Sequence, residues 1–232
     1  MTAETYYNEI MKPEIELFHT EMMEKLNSDE QIKKLYTGWK VWFSPILINP
    51  EILFIGINPG GGEGGDLTLE PDGILQYIFD ESAGFNLKDD INEVFNEKEL
   101  FDLVDLAYCV KTNYYYLATK NSDEIKKIGD FLGREKDKSG LGDKFFQNSK
   151  KWSNQILDII KPNLIICEGK TAFILLTQFA LELKKIETNG QDVFTFYCEK
   201  LNATIIMFER LRSGAIKNKA MLKKVLIEHF TS

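Results

Sequence analysis

The chain has 232 residues, of which 44% are hydrophobic and 28% charged, with a formal net charge of −8 at pH 7. That length suffices for one well-buried core, and the acidic balance speaks against a broad, non-specific nucleic-acid coat. Three cysteines and two histidines leave no basis for a disulfide framework, a zinc site, a four-thiolate cluster or a Ser-His-Asp triad, so neither metal nor cofactor is expected. No apolar run approaches the ~20 residues of a bilayer span. Met1–Thr5 lacks the basic start and apolar centre of a signal peptide, so a cytoplasmic protein, without membrane attachment and monomeric, is expected.

Ile15, Phe18, Met22 and Leu26 recur on one helical face and predict a helix from about Pro13 to Leu26. Ser28-Asp29 caps a second, shorter one running to Tyr36. Residues 1–38 read as a helical N-terminal extension packed on a core of 39–232, the whole forming a single domain. Trp39 and Trp42 follow in an extended stretch; packing against the first helices is the commoner role for such residues, base stacking the alternative. Ile52-Leu53-Phe54-Ile55 is a short apolar run stopped by Gly56, Asn58 and Pro59, the pattern of a buried strand in a parallel sheet. Asn58 then stands at the strand's carboxyl end, where open α/β sheets hold their ligands. Gly60 to Gly65 makes a loop almost without side chains, similar to a phosphate cradle. It lacks the Gly-Lys-Ser/Thr of a Walker A loop, and Pro59, Glu63 and Asp66 do not suit a dinucleotide fingerprint.

Gly73 to Asp80 is predicted helical, Ser82 to Asn86 a turn, and Glu97 to Leu106 a short amphipathic helix. Ala107 to Tyr116 is β-prone and carries Asn113 ahead of three tyrosines. Asn121 to Gly140 is polar with one short helix opened by Ser122-Asp123, and Asp143 to Ile160 is a longer helix that ends before Pro162. Leu164 to Glu168 is a third buried strand. Gly169-Lys170-Thr171 follows it, but the upstream P-loop glycine would fall at Leu164. An apolar helix is expected to run on to about Lys185. Val193–Cys198 and Ala203–Phe208 are two more strands, and Lys217 to Phe230 a last helix. The sum is an α/β chain: three layers, α/β/α, around a central, mostly parallel sheet of four or five strands.

Gly56-Ile57-Asn58-Pro59-Gly60 resembles the first motif of the uracil-DNA glycosylase superfamily, closest to its mismatch-specific and single-strand-selective branches. The stretch ending in Asn113 resembles the superfamily's second strand, and Pro162 to Ala172 its third strand and helix, where the pattern is structural. The resemblance runs from about Ile52 to the C-terminus. It implies that Asn58 holds the attacking water and that Asn113 reads the uracil edge, an amide offering acceptor and donor side by side. Gly56, Ile57, Pro59 and Gly60 would line the substrate, and Phe85 would stack under the flipped base, with Phe79 the other candidate. The last motif departs from the family, which follows its final strand with His-Pro-Ser or Asn-Pro-Ser. Here Phe208 leads into Glu209-Arg210-Leu211-Arg212-Ser213-Gly214. Ser213 and Gly214 are left to meet a phosphate, Leu211 to act as a wedge, and Arg210 or Arg212 to stabilise the departing anion.

Six basic residues and one acid between Glu209 and Lys224 form a local basic patch with room for a small DNA footprint; a solvated helix face explains the lysines equally well. Three readings follow. One is a glycosylase acting on uracil or a related damaged base in DNA, and another a non-catalytic base- or nucleic-acid-binding member of that fold. A hydrolase of free nucleosides or nucleotides is the third.

Overall fold

The computed structural model describes residues 1–60, 65–79, 86–96, 98–177, 183–189 and 192–232, and for 79 and 183–189 the backbone. In chain order the strands are β1 (Gly38–Lys40), β2 (Leu53–Gly56), β3 (Leu67–Thr68), β4 (Val110–Asn113), β5 (Leu117–Ala118), β6 (Leu164–Cys167), β7 (Leu183–Asn189), β8 (Val193–Cys198) and β9 (Ala203–Phe208). The helices are α1 (Ala3–Tyr6), α2 (Lys12–Leu26), α3 (Glu30–Lys33), α4 (Gln76–Phe79), α5 (Asn86–Phe95), α6 (Lys98–Phe101), α7 (Ser122–Leu132), α8 (Leu141–Ile160), α9 (Lys170–Thr177) and α10 (Lys219–Thr231). Contacts divide them between two compact units, one of Met1–Trp42, Ile57–Glu70 and Asn113–Ile160, the other of Phe43–Gly56, Pro71–Thr112 and Lys161–Ser232.

The second unit is built on the larger sheet, whose order is β4-β2-β6-β9-β8-β7. β2, β6 and β9 run parallel, with Ile55 opposite Cys167 and Cys167 opposite Met207, while β8 and β7 are antiparallel additions. Both faces of this sheet are covered. Phe54, Ile166, Ile206 and Phe208 pack with Leu87, Ile91 and Val94 of α5 and Leu222, Val225 and Leu226 of α10. On the opposite face Phe173 of α9 stacks on Phe196 of β8, ring centroids 4.6 Å apart, and Phe196 is in register with Ile205. Burial on both faces explains why the strands read as unbroken apolar runs rather than alternating ones. The expected α/β/α layering is therefore present.

β7 is a correction to the sequence reading. A helix is expected to run to about Lys185, but Leu183–Asn189 pairs with β8 as a sixth strand, with a register shift between Lys185 and Glu187; the helix is described over Lys170–Thr177. α5 is a second difference, for Leu87, Ile91, Val94 and Phe95 fall on one buried helical face directly after the predicted turn.

In the first unit α2 buries Ile15, Phe18, Met22 and Leu26, the four residues its spacing predicts. α3 is capped by Asp29, whose Oδ1 accepts from Gln31 and Ile32 N–H at 2.9 and 3.1 Å. α7 is capped one residue earlier than expected, Asn121 Oδ1 accepting from Asp123 N–H at 3.1 Å. α7 and α8 cross so closely that a Cβ at Gly142 would run into the Gly129 carbonyl. A small sheet, β3-β1-β5, completes the unit. Trp39 and Trp42, 1% and 0% exposed, belong to its core. Trp39 meets Trp152 edge-on at 6.2 Å and Trp42 meets Tyr7 at 5.4 Å. Packing, not base stacking, is what these two residues do.

Candidate functional site

Asn58 belongs to the first unit, half-buried, just past the end of β2. Its Nδ2 donates to Pro59 O at 2.8 Å and to Thr119 Oγ1 and O at 3.2 and 3.3 Å. Two of the three acceptors are carbonyls, so the NH₂ must face them and the amide's orientation is fixed. Thr119, fully buried, donates a hydrogen bond from its hydroxyl to Asn121 O at 2.8 Å, and Asn121 is the cap of α7. The side chain is thus wired to a helix start through its nitrogen. Its Oδ1 has no partner among the described residues and is left to accept from a ligand.

Asn113 is the last residue of β4 and is 4% exposed. Its amide has no hydrogen-bond partner among the described residues, and it is not among the fully enclosed unpaired polar groups, so its amide atoms keep a small contact with solvent. The segments bearing the two asparagines are hydrogen-bonded neighbours, Tyr115 N–H donating to Ile57 O at 2.8 Å. Around them Ile57 is half-buried, Pro59 buried and Gly60 exposed, and a Cβ at Gly60 would meet nothing within 4 Å. Gly60 is therefore not required there for close packing. Phe85 and Gly61 to Gly64 lie outside the described residues, as does the side chain of Phe79.

In the second unit, Gly56 ends β2, buried. The segment from Arg210 to Gly214 is an ordered turn after β9. Arg210 bridges Ile216, Leu211 N–H donates to Ala215 O at 2.8 Å, and Gly214 N–H to Leu211 O at 2.9 Å. Gly214 has φ +90°, a conformation side chains disfavour. Ser213 O accepts from Asn86 Nδ2 at 2.9 Å. Leu211 is 49% exposed, so it is not packed beneath the loop.

The expected basic patch is largely neutralised. Lys217 pairs with Asp192 at 2.6 Å and Glu209 at 3.2 Å, Lys219 with Asp90 at 3.1 Å and with Glu93, Lys223 with Glu99 at 3.4 Å, and Lys224 with Glu228 at 3.6 Å. Arg210 and Arg212 have no carboxylate partner among the described residues. They carry the positive charge that remains.

A second polar group in this unit was not anticipated from sequence. Lys111 of β4 and Glu168, the residue after β6, are 5% and 4% exposed at the side chain and form an ion pair through Glu168 Oε1. Tyr77 of α4 donates to the same oxygen and accepts from Lys111 Nζ at 2.8 Å. Burial, then the Glu168 charge, raises the Tyr77 phenol, which keeps its proton. Burial pushes Lys111 down, against the pull of Glu168. Backbone contacts hold both ends, Lys111 N–H on Ser44 Oγ at 3.0 Å and Glu168 N–H on Ile55 O at 2.9 Å. The available signal was a charged residue in or directly after a run of core-strand residues, in Cys109-Val110-Lys111 and in Ile165-Ile166-Cys167-Glu168.

Within this sheet β6 adjoins β2 on the side away from β4, so successive parallel strands leave β2 in opposite directions. That reversal is a topological switch point, and ligands of open α/β sheets bind outside the carboxyl ends there. Glu168 stands at that edge. All three cysteines are buried and free, and no group of potential metal ligands exists among the described residues. No helix among the described residues is long and apolar enough to cross a membrane. No protein-family model matches the chain, and a search of curated proteins finds no match.

Proposed function

We propose that the chain hydrolyses the N-glycosidic bond of uracil or a related damaged base in DNA. The observation that carries this reading is the state of the two amides. Asn58 is pinned through its nitrogen, with Oδ1 open, and Asn113 is buried without a partner among the described residues, on a hydrogen-bonded neighbouring segment. Asn58 Oδ1 accepts a hydrogen bond from the attacking water and orients its oxygen; the water's surplus proton passes to solvent, and the departing base anion takes one up from it. Asn113 pairs with the base edge and stabilises the negative charge that builds on the leaving base, an effect of about 3–4 kcal/mol per donor in comparable oxyanion sites. An amide is not a base, so the mechanism depends on a pre-positioned nucleophile and a good leaving group. The base must first leave the stack, which costs a few kcal/mol and least in single strands or mismatches.

Single- and double-stranded uracil-containing oligonucleotides test the reading. Alkali-labile sites formed by the native chain and lost in Asn58→Ala support it, and no cleavage of any such strand refutes it. The divergent Glu209–Gly214 segment and the ion-paired lysines favour a second reading, base recognition without chemistry. Salt-dependent binding with no cleavage is its signature.

A further inference from the structure

The second unit holds a donor and an acceptor that flank one glycine without pairing with each other. Glu168 is anchored through Oε1, by Lys111 and Tyr77, while Oε2 has no partner among the described residues. Arg210 lies against Gly169, the residue after Glu168, where a Cβ would stand 3.3 Å from Arg210 Cδ. It is anchored through Nε, which donates to Gly214 O at 2.8 Å, and its two terminal nitrogens have no partner among the described residues. The Arg210 charge acts on both Tyr77 and Lys111, yet the guanidinium and the carboxylate form no ion pair. Each is fixed by one half and open by the other. A buried Lys–Glu pair contributes little net stability compared with apolar packing, so the fold alone does not account for it.

We propose that Glu168 Oε2 and the Arg210 guanidinium read the lactam edge of a nucleobase, its ring N–H donating to the carboxylate and its C=O accepting from the arginine. Lys111 and Tyr77 are positioning residues that stop the carboxylate from turning. Uracil, hypoxanthine and guanine carry such an edge, either as free bases or as bases displaced from a strand. The pairing follows the usual complementarity of arginine with ring carbonyls and of carboxylates with N–H donors. This site does not depend on Asn58 or Asn113.

Calorimetric titration of the full chain with uracil and hypoxanthine tests it, with 1,3-dimethyluracil, which has no N–H, as control. A uracil-containing single strand, followed by fluorescence anisotropy, forms the second arm. Glu168→Gln and Arg210→Ala should each weaken binding at least about tenfold, and the dimethylated base should not bind. Lys111→Met/Glu168→Met, which leaves no orphaned charge, should keep a cooperative melt and still lose binding. Tyr77→Phe should cost a few-fold. Loss in the strand arm alone would assign the edge to displaced bases rather than free ones. The proposal is overturned if the Glu168 variants bind like the native chain, if 1,3-dimethyluracil binds equally, or if neither base nor strand binds. Loss in Asn113→Ala with retention in Glu168→Gln overturns it too, while leaving the glycosylase reading intact.

Discussion

The two units solve the problem of burying polar groups in opposite ways. In the first, one neutral amide, Asn58, is fixed through its nitrogen by Pro59 and Thr119, and the unit's core is aromatic, with Trp39, Trp152, Tyr116 and Phe145 meeting at ring distances of 5.8 to 6.4 Å. In the second, a full ion pair is taken out of water and held by residues distant in sequence. A neutral amide costs less to bury than a charge, and the loss of one partner there costs about 1–3 kcal/mol. A buried charge loses more, because the penalty for the survivor is several kcal/mol.

Substitutions test that contrast. Glu168→Ala should be the most damaging, about 3–5 kcal/mol by chemical denaturation, because it strands Lys111. The Lys111→Met/Glu168→Met pair should recover most of the loss, and a double-mutant cycle measures the coupling. Asn58→Ala should reverse the emphasis. Stability should fall by only about 1 kcal/mol, while cleavage of a uracil-containing strand falls at least about 100-fold, as when a positioning or oxyanion contact is removed elsewhere. Gly214→Ala should cost about 1–2 kcal/mol in thermal melts, since φ +90° strains any side chain.

The smallest effect concerns His19, whose Nε2 lies 2.8 Å from Tyr36 OH. Burial raises the Tyr36 phenol, so it keeps its proton and donates to the imidazole. Burial also lowers His19 below its ordinary value of 6.5. The folded state favours the neutral ring, and its stabilisation is complete above the unfolded pKa. It declines as pH falls below about 6.5 towards the depressed value. Melting temperature should therefore drop between pH 7 and pH 5, and His19→Gln should flatten part of that slope. His229 shifts in the same direction, so some slope should remain.

How much of this was legible beforehand follows from sequence distance. The turn at Gly56 to Gly60 could be read because each of its constraints is local, and α2 and α8 because their periodicity is long. The limits of β8 and β9 were read to the residue. Lys111, Tyr77 and Glu168 were not foreseen as a group, since the contacts joining Glu168 to the other two span 57 and 91 residues. Nothing local says which charged residue at a strand end will find a partner. β7 failed for another reason. Its apolar lead-in favours helix, but pairing with β8 across a short connection overrides that preference. α5 carried a readable pattern at Leu87, Ile91, Val94 and Phe95, which the sequence reading, its turn ending at Asn86, left unassigned.

β7 has one more consequence. As one of the two edge strands of its sheet, β4 being the other, it offers a rim that a foreign chain could extend. Its pairing with β8 is interrupted by the register shift between Lys185 and Glu187. An irregular ladder discourages edge-to-edge addition, so this rim is a poorer template for a further strand than a regular one would be.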